Sequence, residues 1–266
     1  MLEIRLLPLV CTKHTGNCAT ASRRGDCLQD KPLLIFITCE HGGNRFPKHF
    51  APLFRNRRDI LESHRGYDAG ALELAKKLAQ GLKARLFFSE FTRLLIDLNR
   101  SPHNSNRFSE VTRRLGREEK ASIEELYYIP YREEIRSAFL QAIRSSRRVL
   151  HISVHSFTPE LHGRLRAADL GLLYDPSRKP ETDFCKLWQS VLRKLFPGLL
   201  IRRNYPYRGT SDGFTRHLRG LFPENSYLGI ELEVNQKFLS PDRTSWLNLQ
   251  RSVLKSLRMI ISPLYL

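Results

Sequence analysis

Polar and apolar positions alternate along residues 149–155. Val149, His151, Ser153 and His155 share one strand face, and Leu150, Ile152 and Val154 share the other. Pro159 ends the pattern. Such a strand delivers His155 to its C-terminal end, where the loops of an open α/β sheet form a ligand crevice. An imidazole followed there by Ser156 and Phe157 suits a metal ligand, and equally a core histidine held by a hydrogen bond.

The rest of the chain alternates strands with helices. Residues 33–38 form a continuous apolar run, as expected of a parallel strand covered on both faces. Residues 85–90, 93–98, 169–174, 199–203 and 227–235 read as further strands. Helical spacing links Leu72, Ala75, Leu78, Ala79 and Leu82, and again Phe184, Leu187, Trp188, Val191, Leu192 and Leu195. It recurs in Trp246, Leu249, Val253, Leu257 and Ile260, and in Ile135, Phe139 and Ile143, after a start at 123–126 that Pro130 is expected to interrupt. The pattern predicts an α/β fold, a single domain over residues 31–266 with a mixed sheet flanked by helices. Residues 1–30 lack periodicity and read as a loosely ordered tail, while the polar, basic stretch 103–120 reads as a long loop overlying the site.

Composition narrows the partners. The 44 Lys and Arg against 27 Asp and Glu give a formal charge of +17, which attracts anions of any kind. The basic residues are scattered and no nucleic-acid-binding motif is evident, so nucleic acid is disfavoured as a partner. The five cysteines show no paired metal-ligand spacing, which points to reduced thiols and a cytoplasmic location; Cys11, His14, Cys18 and Cys27 match none of the common structural zinc patterns. No apolar run approaches the roughly 18 to 20 residues a membrane span requires, and no signal peptide is expected.

Five further stretches carry candidate chemistry. The strand at 33–38 runs into Cys39-Glu40-His41-Gly42-Gly43-Asn44, an acid, an imidazole and two glycines able to turn sharply beside a bound ion. Asp68 stands where the N-cap of the next helix is expected, and a carboxylate facing the site is the functional alternative. Asn99 and Arg100, beside Asp97, suit an anion clamp because a guanidinium grips a carboxylate bidentately. Tyr207, Arg208, Arg216 and His217 lie in or beside a glycine-bearing loop suited to an anionic substrate. Glu231 and Glu233 share one face of the last strand, where a carboxylate is placed to act as a general base.

The segments Cys-Glu-His-Gly-Gly-Asn-Arg-Phe-Pro, Asp-Leu-Asn-Arg-Ser-Pro, Ser-Val-His-Ser-Phe-Thr-Pro and Glu-Leu-Glu-Val-Asn-Gln match in type and order those of the N-formylglutamate amidohydrolase family. The resemblance covers about residues 33 to 240 and extends more distantly to zinc carboxypeptidases and aspartoacylases. It implies a phosphorylase/hydrolase-like fold with one catalytic Zn2+ on His41 and His155. Asp68 is the first choice for the third ligand and Glu40 the second, since Asn44 holds the place where carboxypeptidase-like relatives carry an acid. The resemblance also implies that Asn99 and Arg100 grip the substrate carboxylate, that Glu233 activates water, and that the substrate is a small anionic N-acyl amino acid. The reading from a different class is a binding protein that uses a degenerate metal site to hold an anionic ligand or nucleic acid.

Overall fold

Apolar side chains on both faces of 33–38 and on one face of 149–155 require a sheet with layers packed against it, and the computed structural model provides one. It describes residues 32–262; the expected tail and the Cys11–Cys18–Cys27 stretch lie outside them. In chain order the elements are β1 (Leu33–Cys39), α1 (Arg58–Leu61), α2 (Ala71–Leu82), β2 (Arg85–Phe88), α3 (Arg117–Ile123), α4 (Ile129–Arg144) and β3 (Arg148–Phe157). A small hairpin, β4 (Glu160–Leu161) and β5 (Arg164–Leu165), precedes β6 (Leu170–Leu173), α5 (Lys179–Leu195), β7 (Ile201–Arg203), α6 (Phe214–Leu221), β8 (Tyr227–Asn235) and α7 (Thr244–Ile261). No helix among the described residues is long and apolar enough to cross a membrane.

The main sheet has six strands in the order β2-β1-β3-β8-β6-β7. Strands β2, β1, β3 and β8 run parallel, β6 is antiparallel to β8, and β7 is parallel to β6, which makes the sheet mixed as expected. The C-terminal ends of β1, β3 and β8 therefore share one edge. Register pairs Ser153 with Glu231 and His155 with Glu233.

Three cores hold this frame. Leu150, Ile152 and Val154 face α2, α5 and α7 through Leu74, Leu78, Trp188, Leu192, Val253 and Leu257. Phe36, Val149 and Tyr227 meet α4 and α6 through Ile135, Phe139, Phe214 and Leu218. A third cluster gathers Phe50, Phe54, Leu94 to Ile96, Leu98, Phe108 and Val111 beside the site. Leu187, expected on the core face of α5, sits at its margin and is half exposed.

Local expectations fail in three places. Residues 93–98 are turns rather than a strand, with Leu95 N–H donating to Thr92 O at 3.0 Å and Arg100 N–H to Asp97 O at 3.2 Å. Their leucines and isoleucine fill the third core, and a short apolar run carries no period that separates this from a strand. Pro130 does not interrupt its helix, because a π-helical segment, Glu124–Tyr128, joins α3 to α4 and absorbs the change in hydrogen bonding. The loop at 103–120 ends at Gly116, where α3 begins.

The polar face of β3 carries one buried imidazole with no part in an ion pair. The two ring nitrogens of His151 lie 2.8 Å from Thr38 Oγ1 and 2.8 Å from Tyr227 OH, with Phe139 packed on the ring. Burial pushes its pKa down from 6.5 to about 4. The unfolded chain thus binds the proton first as pH falls, so the fold keeps its full stability above about 6.5 and loses it towards about 4. His151→Gln, which keeps polar contacts without a titration in this range, should cost stability at pH 7. It should also flatten the acid-side loss by roughly 2 kcal/mol between pH 7 and 5 in denaturant titrations. Parallel pH curves for the two proteins would refute the assignment.

Candidate active site

The edge where β1, β3 and β8 end brings together residues far apart in sequence. Beyond β1 the chain turns at Gly43, where a Cβ would lie 2.5 Å from the Glu90 carbonyl oxygen, so a side chain there would push the turn off the segment it packs on. Asp68 N–H donates to His41 O at 2.9 Å and fixes the two residues relative to each other. Asp68 is not the N-cap of α2. That position is Gly70, whose φ of 77° suits glycine, and its turn leaves the Asp68 carboxylate directed at the imidazoles.

Hydrogen bonding assigns the rings. His41 Nε2 lies 2.7 Å from Asp97 Oδ1, an acceptor, so that nitrogen carries the proton. Ser153 Oγ donates to Glu40 Oε2 at 2.7 Å and accepts from His155 Nε2 at 2.9 Å, which commits the second ring the same way. Both Nδ1 atoms then turn lone pairs on Asp68 Oδ2, at 3.3 Å for His41 and 2.9 Å for His155. Three buried acceptors facing one another repel unless each ring takes a second proton or one cation sits between them. The donor atoms of His41, Asp68 and His155 lie within 4.8 Å of one another, and two imidazoles and a carboxylate suit a catalytic zinc. Asn44 Nδ2 instead donates to Leu61 O at 3.2 Å, and Glu40 stands behind His155 as its orienting carboxylate.

Electrostatics follow from this arrangement. Burial opposes ionisation of Asp68, but without a cation between them the facing imidazoles take second protons, outweigh it and hold its carboxyl below the usual carboxylate range. Burial likewise disfavours charge on His155, yet Asp68 and Glu40 raise it well above the ordinary histidine value. Arg93 binds the outer oxygens of both acids, 2.7 Å from Asp97 Oδ2 and 3.4 Å from Asp68 Oδ1. Glu233 differs from all of these. Burial lifts it to about 7, and its Oε2 is buried without a hydrogen-bond partner. Glu231, by contrast, accepts a hydrogen bond from the Thr215 hydroxyl.

A cavity of about 240 Å3 opens over the cluster, lined by His41, Asp68, His155, Glu231 and Glu233 together with Asn99, Arg100, Tyr207 and Arg208. Asn99 Oδ1 accepts from Phe214 N–H at 2.7 Å, which leaves its NH2 group as donor. Arg100 donates to Asp212 O at 3.1 Å, and its Nε is 3.8 Å from Asp97. Asp97 therefore serves His41 and Arg93 rather than chiefly Arg100. Arg216 and His217 do not reach the cavity: α6 buries Phe214, Thr215 and Leu218, leaving Arg216 exposed and His217 stacked on Phe214. Sequence reasoning missed Arg93 and Ser153 as site residues, although Arg93 stands four residues before Asp97 and Ser153 alternates with His155.

The family model described as N-formylglutamate amidohydrolase matches residues 33–240. None of the curated proteins compared with the chain matches it. Two crystal structures share its fold. A gene product of Agrobacterium tumefaciens is 24% identical with a TM-score of 0.69, and the N-formylglutamate amidohydrolase of Ralstonia eutropha is 20% identical with a TM-score of 0.67. Each alignment covers 88% of this chain and 94% of the other.

Asp68→Asn leaves α2 intact, because Gly70 and not Asp68 caps the helix. It should lower divalent-metal affinity more than Glu40→Gln does, the latter by about 10- to 100-fold as expected of a carboxylate that orients a ligand. Competition titrations with a chelating indicator measure both; a larger loss in Glu40→Gln would exchange their roles.

Proposed function

The chain belongs to the N-formylglutamate amidohydrolase family, and from that premise we propose that it is a zinc-dependent enzyme hydrolysing the N-acyl amide of an acidic amino acid, N-formyl-L-glutamate above all. The observation that carries the proposal is the pair of strand-end imidazoles whose Nδ1 atoms converge on Asp68, with the one unpartnered carboxylate oxygen of Glu233 beside them. His41, Asp68 and His155 hold the metal, which when bound supplies Lewis acidity towards an amide carbonyl and acidifies water.

The chain's own groups do the rest. Glu233, ionised, takes a proton from the attacking water and returns it to the amide nitrogen as the C–N bond breaks, giving formate and glutamate. A carboxylate lifted to about 7 suits both transfers near neutrality. The partner already bound to Glu231 favours Glu233 for this work. The Arg100 guanidinium and the Asn99 amide bind the substrate carboxylate and fix the scissile bond against the metal site. Asp97, Glu40 and Ser153 keep both imidazoles in the tautomer that leaves Nδ1 free, and Arg93 neutralises the outer face of the two aspartates.

Chelation should abolish hydrolysis and zinc should restore it, across a screen of N-formyl, N-acetyl and N-succinyl amino acids in which the N-formyl acidic compounds are fastest. Glu233→Gln should lower kcat on the order of 10² to 10⁴-fold while retaining the metal. Arg100→Lys should mainly raise KM, because an ammonium lacks the bidentate fork. Full kcat in Glu233→Gln together with loss in Glu231→Gln would move the base to Glu231. A protein inactive on every compound with zinc bound would leave the binding-protein reading.

A further inference from the structure

Beside the catalytic cavity lies a larger one of about 780 Å3, and the two share Arg93, Arg100 and Tyr207 as a common wall. The polar loop that follows Arg100 forms much of its outer side, through Ser105, Phe108, Ser109 and Arg113. Arg65, Arg93, Arg100, Arg113 and Lys120 outnumber the two acids of the lining, Asp97 and Glu110. Arg93 is engaged by Asp68 and Asp97, and Arg65 by Glu110. Arg113 and Lys120 make no ion pair with a carboxylate among the described residues. The Lys120 ammonium donates to Arg113 O at 2.6 Å and lies over the Phe108 ring. Arg100 adds a third cation whose nearest carboxylate is 3.8 Å away. A single dicarboxylic amino acid held at Arg100 leaves Arg113, Lys120 and the space between them unused.

We infer that the larger cavity is an anion-binding subsite for the amine half of the substrate, and that the enzyme accepts N-acyl acidic peptides, in which a glutamyl residue is followed by at least one more carboxylate-bearing residue. The inference rests on the preceding reading that Arg100 holds the amine half, since Arg100 stands on the shared wall and whatever extends past it enters the larger cavity. The reaction is unchanged: water adds to the formyl carbon, the C–N bond breaks, the peptide nitrogen receives the proton, and formate and a free acidic peptide leave. Arg113 and Lys120 bind the distal carboxylates and touch no reacting atom.

The test compares kcat/KM of the zinc-loaded full chain on N-formyl-glutamate, N-formyl-glutamyl-glutamate and N-formyl-glutamyl-glutamine amide, the last matched in length without the extra carboxylates. The acidic dipeptide should exceed the amide. The double variant Arg113→Ala/Lys120→Ala should reduce that preference by about tenfold, as two partly exposed ion pairs allow, and leave N-formyl-glutamate unchanged. The charge-keeping pair Arg113→Lys/Lys120→Arg should retain the preference. Equal use of the two dipeptides by the wild type, or an equal loss on all three compounds in the double variant, overturns the subsite. Should no N-formyl compound be cleaved, calorimetric titration of triglutamate separates the two ideas. Weaker binding to the double variant than to wild type keeps the subsite while the N-formyl reading falls, and equal or absent binding in both ends the subsite as well.

Discussion

The site depends on where two protons sit. Asp97 accepts the Nε2–H of His41 and Ser153, itself donating to Glu40, accepts that of His155, so both imidazoles present Nδ1 lone pairs to the same oxygen of Asp68. Moving either proton would turn an acceptor into a donor and change what the cluster can bind. Ordering three acceptors against one another opposes folding, and the surrounding network holds them there: β1 and β3 pair directly, and Asp68 N–H is bonded to His41 O.

Charge compensation is arranged in layers around this cluster. Buried acids would resist ionisation, yet Arg93 spans Asp68 and Asp97 from outside while His41 donates Nε2–H to Asp97 and the rings, when protonated, face Asp68, so both carboxyls are held down. Glu233 has no such partner and remains poised between its two protonation states. The contrast between neighbouring carboxylates comes from environment and not from residue type, as expected where acid and base roles are separated.

The excess of basic residues acquires a local meaning near the site. Within the larger cavity most carboxylates are already engaged, and Arg113 and Lys120 stand beyond them. A charge of +17 over the chain remains larger than one cavity uses. Its field still favours entry of anions at the mouth of the site.

Much of this could be read along the chain. Two-residue periodicity is a property of extended backbone itself, so the common face of His151, Ser153 and His155, and that of Glu231 and Glu233, followed from sequence and holds in the sheet. Helical spacing placed α2, α5 and α7 for the same reason. Family resemblance ranked Asp68 ahead of Glu40, but no local pattern decides between them, because only packing turns one to Nδ1 and sets the other behind Nε2. Residues 93–98 folded as turns, which let Asp97 reach His41 across a separation of 56 positions, a contact no local pattern encodes. Arg216 and His217 lay near site residues in sequence, and the apolar face of α6 carried them away from the cavity. Local sequence determined which side chains share a face, since backbone geometry alone sets that. Tertiary structure decided which faces meet and which nitrogen keeps its proton, because those depend on partners brought from distant strands.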